Sequence, residues 1–348
     1  MNFDDIQKYT HFSIFGAHVV AYGAYCAIKK LYGRSPDCFI VTNPEWNLDS
    51  VDGIPVRPLE TVSRDSLIVV GVTELTQREI TALLEDKGYH HVLPLGNRAE
   101  YRLMRAYFDA IGLFPPISTD GTGQAADLGL YEVRNHRDTP LARHPALFPY
   151  EYPIQAGAAR SEKRVADILD NQGENISAKN VQYCEMTASY WVWKHTHHAW
   201  TGIEHYRRHL LLKPEMLHDG IDAVLPLPFV CWPNTLVHLC WFVGGDVRDA
   251  MLKALKTLHP EEFPGYMEIL NGHWQYPCNM LAAKKSVYDD YCAWFFRITE
   301  YIETMGDAVP AISETRALSY VAEVLTSLYF LSHRDTLCVR HVEKEIYI

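Results

Sequence analysis

A run of charged, imidazole and aromatic side chains, reading EHYRRH, occupies residues 204–209. The apolar segment before it, which begins at Trp200, is typical of a strand, and an open α/β sheet binds ligands at the carboxyl ends of its strands. Neighbouring residues on a strand point to opposite faces, so Arg207 and Arg208 have different surroundings. One of them can hold a phosphate or carboxylate by two hydrogen bonds while an ion pair fixes the other. The pattern is equally compatible with structural or surface ion pairs.

A helix that carries a carboxylate is predicted just before this strand. Apolar residues recur at helical spacing from Asn180 to Lys194, and aromatic side chains widen the apolar face until the helix should be largely buried. Glu185 lies on this helix and needs a partner, because an unpaired buried charge is costly. Tyr190 can stack on a sugar ring or belong to the core. The polar turn before the helix can line a nucleotide pocket or simply cap the helix.

The same stretch resembles a known family. Residues 175–194 read NISAKNVQYCEMTASYWVWK, and GIEHYRR follows at residue 202. This pattern is similar to the glycosyltransferase-like family of capsular and exopolysaccharide loci (domain of unknown function 4422), and the likeness extends over residues 130–348. The resemblance implies a GT-A-like fold and an enzyme that transfers a hexose, with galactose favoured, from a nucleoside diphosphate sugar to a growing surface polysaccharide. A UDP-sugar is the favoured donor, and a lipid-linked glycan is the expected acceptor.

The residue roles combine this resemblance with the chemistry of glycosyl transfer. The leaving diphosphate needs charge relief, and an inverting reaction needs a base for the acceptor hydroxyl. No Asp-x-Asp motif stands where many GT-A-like enzymes hold a cation, so arginine and His205 are expected to contact the diphosphate. No metal ligand is assigned, and manganese or magnesium stays open as a cofactor. The predicted catalytic residues are Glu323, His205 and Asp222, and the predicted substrate-binding residues are Asn175, Ser177, Lys179, Asn180, Glu185, Tyr190, Tyr206, Arg207, Arg208 and Asn279.

Glu323 is the favoured base. It matches a family glutamate in a Gly-Tyr-Ile-Gly-Glu-Arg-Leu-like segment, although residues 319–325 here read SYVAEVL and lack both glycines and the arginine. Each candidate also has a structural interpretation. Glu185 can pair with an arginine, and Asp222 can simply cap or flank a strand.

Composition limits the class of protein. A chain of 348 residues that is 48% hydrophobic can form one large core or two ordinary ones, and two domains are favoured. The net charge of −11 argues against nucleic acid as a partner. The eight cysteines form no CxxC pair, and no signal-peptide-like segment is found, which predicts free thiols and a cytoplasmic location. No apolar run could span a bilayer, so membrane contact is expected to be at most peripheral, at the inner face.

Residues 1–116 are predicted to form a Rossmann-like accessory domain with a doubly wound sheet. Apolar strand-like segments alternate with helical ones at βαβ spacing. The turn at Gly16-Ala17-His18 lacks the GxGxxG fingerprint, and Asn43 replaces the acidic ribose ligand of dinucleotide-binding proteins. A docking or regulatory role is therefore favoured over an NAD-dependent oxidoreductase.

Residues 117–129 are predicted to be a linker, because two prolines, Pro115 and Pro116, precede them and the stretch contains glycines and small polar residues. Residues 130–348 are predicted to form the GT-A-like α/β domain, with a helix at 161–169 and a strand at 276–283 among its elements. A zinc hydrolase built on His205 and His209 is disfavoured, because that spacing converges on one ion only in a helix and the local pattern is strand-like. A non-catalytic sugar-binding or assembly module of a polysaccharide complex is the alternative function.

Overall fold

The computed structural model describes residues 3–43, 45, 47–119 and 124–348. The chain divides into two compact units: Met1–Pro115 with Phe229–Pro233 and Ile348, and Pro116–Pro228 with Asn234–Tyr347. The predicted linker includes residues 120–123, which lie outside the described part of the chain. Of its other residues, Ile117 is buried in the core of the second unit, and a strand already begins at Leu128.

The first unit is a doubly wound sheet. Its strands are β1 (Phe12–Phe15), β2 (Phe39–Val41), β3 (Ser50–Val51), β4 (Ile54–Pro58), β5 (Leu67–Val70) and β6 (Val92–Pro94), in the order β3-β4-β2-β1-β5-β6. All neighbouring pairs are parallel except β3 with β4. The helices are α1 (Val19–Tyr32), α2 (Glu74–Asp86) and α3 (Asn97–Ile111), with 3-10 turns at Phe3–Lys8 and Leu59–Thr61. Every residue of β1 and β5 is buried, as expected for strands covered on both faces.

The second unit contains a nine-stranded mixed sheet. Its strands are β7 (Leu128–Arg134), β8 (Glu151–Gln155), β9 (Ile168–Leu169), β10 (Trp200–His205), β11 (Arg208–Leu210), β12 (Ala223–Pro226), β15 (Leu281–Lys284), β16 (Val339–Val342) and β17 (Lys344–Ile346). The main order is β16-β12-β15-β10-β7-β8-β9, and β11 pairs with β10 and β17. Strands β7, β8, β9 and β10 are parallel, so their carboxyl ends meet at one edge. The short strands β13 (Phe229–Val230) and β14 (Trp274–Gln275) belong to the first and second units, respectively.

Seven helices complete the second unit. They are α4 (Asn180–Tyr183), α5 (Met186–His195), α6 (Thr235–Leu258), α7 (Phe263–Leu270), α8 (Lys285–Glu303), α9 (Pro310–Glu314) and α10 (Ala317–Ser332), with 3-10 turns at Ala158–Arg160, Ser177–Lys179 and Pro214–Met216. Helix α10 packs against α6, α7 and α8, and almost all of its residues are buried. No helix in the described part of the chain combines the length and apolar character that a membrane span requires. All eight cysteines lie in described residues and are free thiols.

The structure corrects the predicted helix at 161–169. Only a 3-10 turn at Ala158–Arg160 and the short strand β9 form there. The side chain of Gln155 satisfies the intervening backbone: its Nε2 donates to the Lys163 carbonyl at 2.9 Å, and its Oε1 accepts from the Val165 N–H at 3.0 Å. Because these backbone groups bond to a side chain, the loop has no need of helical hydrogen bonds.

Two other predicted elements are shorter than expected, because residues other than glycine adopt positive φ. The predicted helix from Asn180 to Lys194 is broken into α4 and α5 at Cys184, where φ is 48°. The predicted strand at 276–283 begins only at Leu281, because φ is 67° at Cys278 and 51° at Asn279. Such backbone conformations carry strain and often occur at functional sites.

Candidate active site

A cavity opens where the strand order of the second sheet changes direction. From β7 the chain continues to β8 and β9 on one side, while β10 lies on the other side of β7. Ligands of open α/β sheets bind at such a switch point, outside the carboxyl ends of the strands. The cavity there has a volume of about 670 Å³. It is lined by residues 133–139, Ala156 and Arg160, residues 205–208, four residues between Asn180 and Glu185, Cys278, residues 314–316 and Glu323.

Arginine dominates the charge of this cavity. Six arginines line it, namely Arg134, Arg137, Arg160, Arg207, Arg208 and Arg316, together with four carboxyl groups, namely Asp138, Glu185, Glu314 and Glu323. The chain as a whole carries a net charge of −11, so this excess of cationic groups is local. Guanidinium groups bind phosphate through two parallel hydrogen bonds. The lining therefore favours an anionic, phosphate-bearing ligand.

A tight hairpin presents Arg207 to the cavity. His205 of β10 pairs with Arg208 of β11, so Tyr206 and Arg207 form the two-residue turn between them. The Arg207 carbonyl accepts a hydrogen bond from the Tyr347 N–H at 2.9 Å, which holds the turn. The buried Nε of Arg207 has no hydrogen-bond partner among the described residues. A buried donor of this kind is costly unless a ligand satisfies it.

Arg134 differs from Arg207 although both line the same cavity. Its Nε and Nη2 donate to Glu132 Oε2 at 3.0 and 2.7 Å, and Glu132 is almost completely buried. The ion pair fixes the guanidinium at the end of β7. The guanidinium of Arg134 is thus held by an ion pair with Glu132, while Arg207 Nε is available to donate a hydrogen bond to a ligand.

Two carboxyl groups of the cavity have raised pKa values. Burial raises the pKa of Glu323 to about 7, and the nearby charge of Glu185 raises it further, against a hydrogen bond that Gln275 Nε2 donates at 3.1 Å. Burial also raises the pKa of Glu185, against a hydrogen bond from Asn279 Nδ2 at 2.7 Å. Close carboxylates disfavour double ionisation. The pair can therefore hold and release a proton near neutral pH.

His205 faces the same cavity as a neutral imidazole. Burial lowers its pKa to about 3, the charge of Arg208 lowers it further, and a hydrogen bond with the Cys278 backbone acts in the opposite direction. Its buried Nε2 has no hydrogen-bond partner in the described part of the chain. A neutral ring can exchange hydrogen bonds with a hydroxyl or phosphate, but it adds no charge. The predicted contribution of His205 to neutralising a diphosphate is therefore limited to hydrogen bonding.

Asn279 positions a carboxylate and does not line the cavity. Besides its bond to Glu185, its Nδ2 donates to the Ser319 carbonyl at 3.3 Å, and its Oδ1 accepts from Thr326 Oγ1 at 3.2 Å. The side chain is buried. The strained backbone at Asn279 thus holds an amide that fixes the orientation of Glu185.

Seven of the thirteen predicted site residues line the cavity: Asn180, Glu185, His205, Tyr206, Arg207, Arg208 and Glu323. Asn180 is held firmly, because it accepts a hydrogen bond from Asn135 Nδ2 at 3.2 Å and donates to the Cys184 carbonyl at 2.7 Å. The loop after β7 is thereby tied to α4. Residues 45 positions apart in the chain meet at this site.

The other residues of the predicted pocket loop have structural contacts. Ser177 is buried and donates to Asp170, which also accepts from two backbone N–H groups. Asn175 Oδ1 accepts from the Ser177 N–H at 3.2 Å, which closes the local turn, but neither Asn175 nor Ser177 caps the helix as the sequence suggested. Lys179 forms an ion pair with Glu303 at 2.7 Å. These three predicted ligand contacts lie outside the cavity lining, in the turn that leads to it.

Two further predicted residues also lie outside the lining. Asp222 precedes β12 and binds Lys284 Nζ at 3.0 Å and the Cys338 N–H at 2.8 Å, so it joins neighbouring strands. Tyr190 donates to Glu174 at 2.7 Å, and its ring packs edge-on against Phe296. Both have the structural role that the sequence left open as an alternative.

The loop after β7 supplies residues that the sequence analysis missed as ligand contacts. Asp138 caps this loop by accepting from the Asn135 N–H at 2.6 Å, and burial raises its pKa to about 6. Arg137 lies beside it, and Arg160 and Arg316 reach the cavity from other loops. The sequence held a signal for Asp138 and Arg137, because they follow the strand-like residues 130–133 as residues 205–208 follow the strand-like segment that begins at Trp200. Nothing in the local sequence indicated Arg160 or Arg316.

A possible metal site lies elsewhere in the second sheet. Among the described residues, Glu151, Glu204 and His209 are the group of three whose ligand atoms lie within 4.8 Å of one another. None of them lines the cavity. The sequence pattern disfavoured His205 and His209 as a pair of zinc ligands, and the structure brings only His209 to the two carboxylates.

Comparison with known proteins shows the family and fold. No curated protein matches significantly. A solved structure of glucosyl-3-phosphoglycerate synthase from Mycobacterium tuberculosis, in complex with Mn²⁺, UDP and glucosyl-3-phosphoglycerate, is 10% identical over 96% of this chain and 84% of that chain, but its TM-score of 0.17 supports no argument. The apo structure of WbbM, a bifunctional glycosyltransferase, is 24% identical and has a TM-score of 0.53, over 63% of this chain and 45% of that chain.

The match to WbbM confirms the predicted α/β fold class of a glycosyltransferase, although this chain spans less than half the length of that relative. The sequence match is to a family that is itself described only as a domain of unknown function, DUF4422. Its model covers residues 133–334, which include the whole cavity lining. Because this is more than half of the sequence, the chain belongs to the DUF4422 family.

Proposed function

We propose that this protein is a glycosyltransferase that moves a hexose, with galactose favoured, from a nucleoside diphosphate sugar to a growing capsular or exopolysaccharide glycan. UDP is the favoured nucleotide, and a lipid-linked glycan is the proposed acceptor. The observation that carries this proposal is the cavity itself. It combines six arginines with a carboxyl group whose pKa is about 7, at the switch point of an α/β sheet.

The arginines suit the donor. A nucleoside diphosphate sugar presents two adjacent phosphates, and the diphosphate becomes more negative as the glycosidic bond breaks. The buried Nε of Arg207 has no acceptor in the described part of the chain, so a phosphate oxygen would satisfy it. Preorganised cationic donors stabilise a leaving group at little reorganisation cost. In this proposal Arg207 binds the diphosphate directly, and Arg134 stays with Glu132 to fix the wall of the cavity.

The carboxyl pair suits the acceptor. In a single displacement, the acceptor hydroxyl oxygen forms a bond to the anomeric carbon of the donor. The bond from that carbon to the diphosphate oxygen breaks with its electron pair, and the hydroxyl proton passes to Glu323. A base works best when its pKa is near the operating pH, and the pKa of Glu323 is about 7. Glu185 and Asn279 act as positioning residues, because they set the charge and geometry beside Glu323.

A separate question is whether the side chains of the cavity could hold a cation on the diphosphate. GT-A-like enzymes that use manganese or magnesium hold it with clustered carboxylates, and within the described residues no three carboxylate, imidazole or thiol ligands of the cavity come close enough together. The cavity therefore offers such an ion at most the pair of carboxyl groups of Glu185 and Glu323. We assign charge relief on the leaving group to arginine.

The first unit is proposed to be an accessory domain for docking or regulation, in a cytoplasmic protein whose membrane contact is peripheral. Its doubly wound sheet lacks the glycine fingerprint of a dinucleotide site. The alternative function, a non-catalytic sugar-binding or assembly module, would keep the nucleotide site but not need a base.

Calorimetric titration tests the donor site. A panel of nucleoside diphosphates and their sugars is titrated into the wild type, Arg207→Ala and Arg248→Ala, with and without manganese. Arg248 is the matched control because it pairs with the adjacent Asp249 and does not line the cavity. We expect one nucleotide to bind, with affinity reduced about 10- to 100-fold in Arg207→Ala and unchanged in Arg248→Ala.

The outcomes distinguish an error in the proposed function from an error in the position of the site or in the assignment of catalysis. If no nucleotide binds to the wild type, the proposed function is wrong. If the two variants bind alike, the site is not at the hairpin. If a donor binds but no sugar is transferred to glycans extracted from a polysaccharide-producing strain, the non-catalytic module is the better description.

A further inference from the structure

Three buried side chains of the second sheet form a compact group that the proposed reaction does not use. They are Glu151 at the start of β8, Glu204 near the end of β10 and His209 in β11. His209 Nδ1 lies 3.1 Å from Glu204 Oε1 and 3.6 Å from Glu151 Oε1. Ligands about 2.0–2.1 Å from a tetrahedral ion lie roughly 3.3 Å from one another, so these two distances fit ligands around one metal as well as hydrogen bonds from a protonated imidazole.

The second oxygen of each carboxylate is fixed by the backbone. Glu151 Oε2 accepts from the Phe148 N–H at 2.7 Å, and Glu204 Oε2 accepts from the Leu210 N–H at 3.0 Å. Each carboxylate therefore keeps its Oε1 turned towards His209. Glu204 Oε1 is buried and, among the described residues, makes no hydrogen bond of acceptable geometry. A buried carboxylate oxygen without a hydrogen bond is costly unless a cation, either a protonated His209 or a metal ion, lies beside it.

The other nitrogen of His209 faces a supporting carboxylate. Its Nε2 lies 3.9 Å from Glu132 Oε1, and Glu132 is itself held by Arg134 at 2.7 Å. Histidines that bind metals typically direct their second ring nitrogen to a carboxylate, which fixes the ring. At 3.9 Å the Nε2 of His209 makes no hydrogen bond to Glu132 and has no other hydrogen-bond partner among the described residues, so Glu132 lies on the side that this pattern requires without fixing the ring.

The charges of the group also favour a divalent ion. Glu132, Glu151 and Glu204 face His209 from β7, β8 and β10, and Arg134 neutralises one of the three carboxylates. With a protonated His209, one negative charge remains in a buried site. With a divalent ion and a neutral imidazole, the charges balance. Buried charges that are not balanced are costly.

We propose that Glu151, Glu204 and His209 bind one divalent transition-metal ion, with zinc preferred by this set of nitrogen and oxygen ligands in tetrahedral spacing. The ion would tie β8 to the β10–β11 hairpin directly behind the turn that carries Arg207. Its role would be structural, because its ligands lie outside the cavity lining. This inference does not depend on the proposed glycosyl transfer.

Metal analysis of the full-length protein tests the site. The chain is purified without metal-affinity resin, stripped with a chelator, dialysed against zinc and then against metal-free buffer, and analysed by mass spectrometry for metals and by thermal denaturation. The variants are Glu204→Gln and His209→Gln. His198→Gln is the control, because His198 also pairs with a carboxylate, Asp127, at 2.8 Å but belongs to no such group.

We expect about one zinc per chain in the wild type and in the control, and less than about a tenth in both site variants. Zinc should raise the melting temperature of the first two proteins only. If the stripped wild type neither retains zinc nor melts at a higher temperature with it, the inference is overturned. The same holds if the ion binds only together with a nucleotide. If a site variant fails to fold, the wild-type stoichiometry decides alone, and nucleotide titrations remain an independent readout.

Discussion

In both sheets of this protein the strand order reverses beside the first strand, but the two sheets differ in which side chains lie at this point. In the first, β2 and β4 lie on one side of β1, and β5 and β6 lie on the other. In the second, β8 and β9 lie on one side of β7, and β10 lies on the other. Each sheet therefore has a switch point beside its first strand, where α/β proteins bind ligands. Topology alone does not distinguish the two switch points as ligand-binding sites.

Close packing fills the first switch point. Gly16, which follows β1, has φ of 109°, and a Cβ atom there would lie 2.6 Å from the Gly71 carbonyl oxygen. A Cβ atom on Gly71 would lie 2.8 Å from Cα of Ala21 in α1. These glycines let strand and helix approach each other, and the first turn of α1 is largely buried. The small residues at this position allow close packing.

Charged side chains surround the second switch point. The loop after β7 and the turn after β10 bring arginines and Asp138 into one cavity. The first unit also has a cavity, of about 540 Å³, but residues that precede its strands line it, such as His11 before β1 and Ser66 before β5. It therefore lies at the amino edge of the sheet. The topology provides a position for a ligand-binding site, and the side chains at the strand ends determine whether a ligand can bind there.

The largest expected effect tests the reaction assigned to the second switch point. Glu323→Gln keeps the size of the side chain and removes the base, so we expect transfer to fall about 10²- to 10⁴-fold with nucleotide affinity unchanged. Transfer assays and calorimetry on the same preparation measure both. The control is Glu261→Gln, at an exposed position of the second unit. A variant that transfers sugar like the wild type would remove Glu323 from the mechanism.

The pH dependence of the wild type should show the same group. The carboxylate is the active base, and the pKa of Glu323 is about 7, so kcat/KM should rise about tenfold between pH 6 and pH 8. Donor binding to arginine should change little over this range. A rate that falls as the pH rises from 6 to 8 would contradict the assignment of a carboxylate base.

A substitution at the first switch point should affect stability alone. Gly16→Ala introduces a Cβ atom 2.6 Å from a backbone oxygen, at a φ that alanine rarely adopts. We expect it to lower the free energy of unfolding by about 1–3 kcal/mol, with the nucleotide affinity of the folded protein unchanged. Thermal denaturation and calorimetry measure the two quantities, and Gly33→Ala, where φ is 65° and no atom lies within 4 Å of the new Cβ, isolates the steric part. If Gly16→Ala weakens nucleotide binding, the two switch points are not independent.

The sequence predicted best those elements and residues whose structure is determined by a local pattern. Helix α3, Asn97–Ile111, has a long and regular apolar period, and such a local pattern predicts a helix. Residues 205–208 were located because strand ends carry ligands in this fold class. The helix break at Cys184 was not predictable, because it depends on contacts between Asn180 and the loop after β7. The approach of His209 to Glu151 likewise depends on strand pairing across the sheet, and local periodicity carries no information about it.

The smallest expected effect is on the free energy of unfolding, because the buried carboxyl group of Glu323 destabilises the folded state when it is ionised. The pKa of Glu323 is about 7 in the folded chain and about 4.3 when unfolded, so the folded state holds the proton more tightly. The stability from this group is complete below about pH 4.3 and is lost as the pH rises through 7. Above that range the wild type therefore keeps an ionised carboxylate that burial disfavours.

Glu323→Gln removes this cost, since glutamine stays neutral at every pH. We expect the variant to melt roughly 2–4 °C above the wild type at pH 8 and within about 1 °C of it at pH 5, measured by thermal denaturation at both values. Glu261→Gln should show no such dependence. Equal melting temperatures for Glu323→Gln and the wild type at pH 8 would mean that the carboxylate is not disfavoured in the folded state. A gain in stability accompanied by a loss of transfer would instead show that the second switch point, unlike the first, holds a group that is kept for its chemistry at the expense of stability.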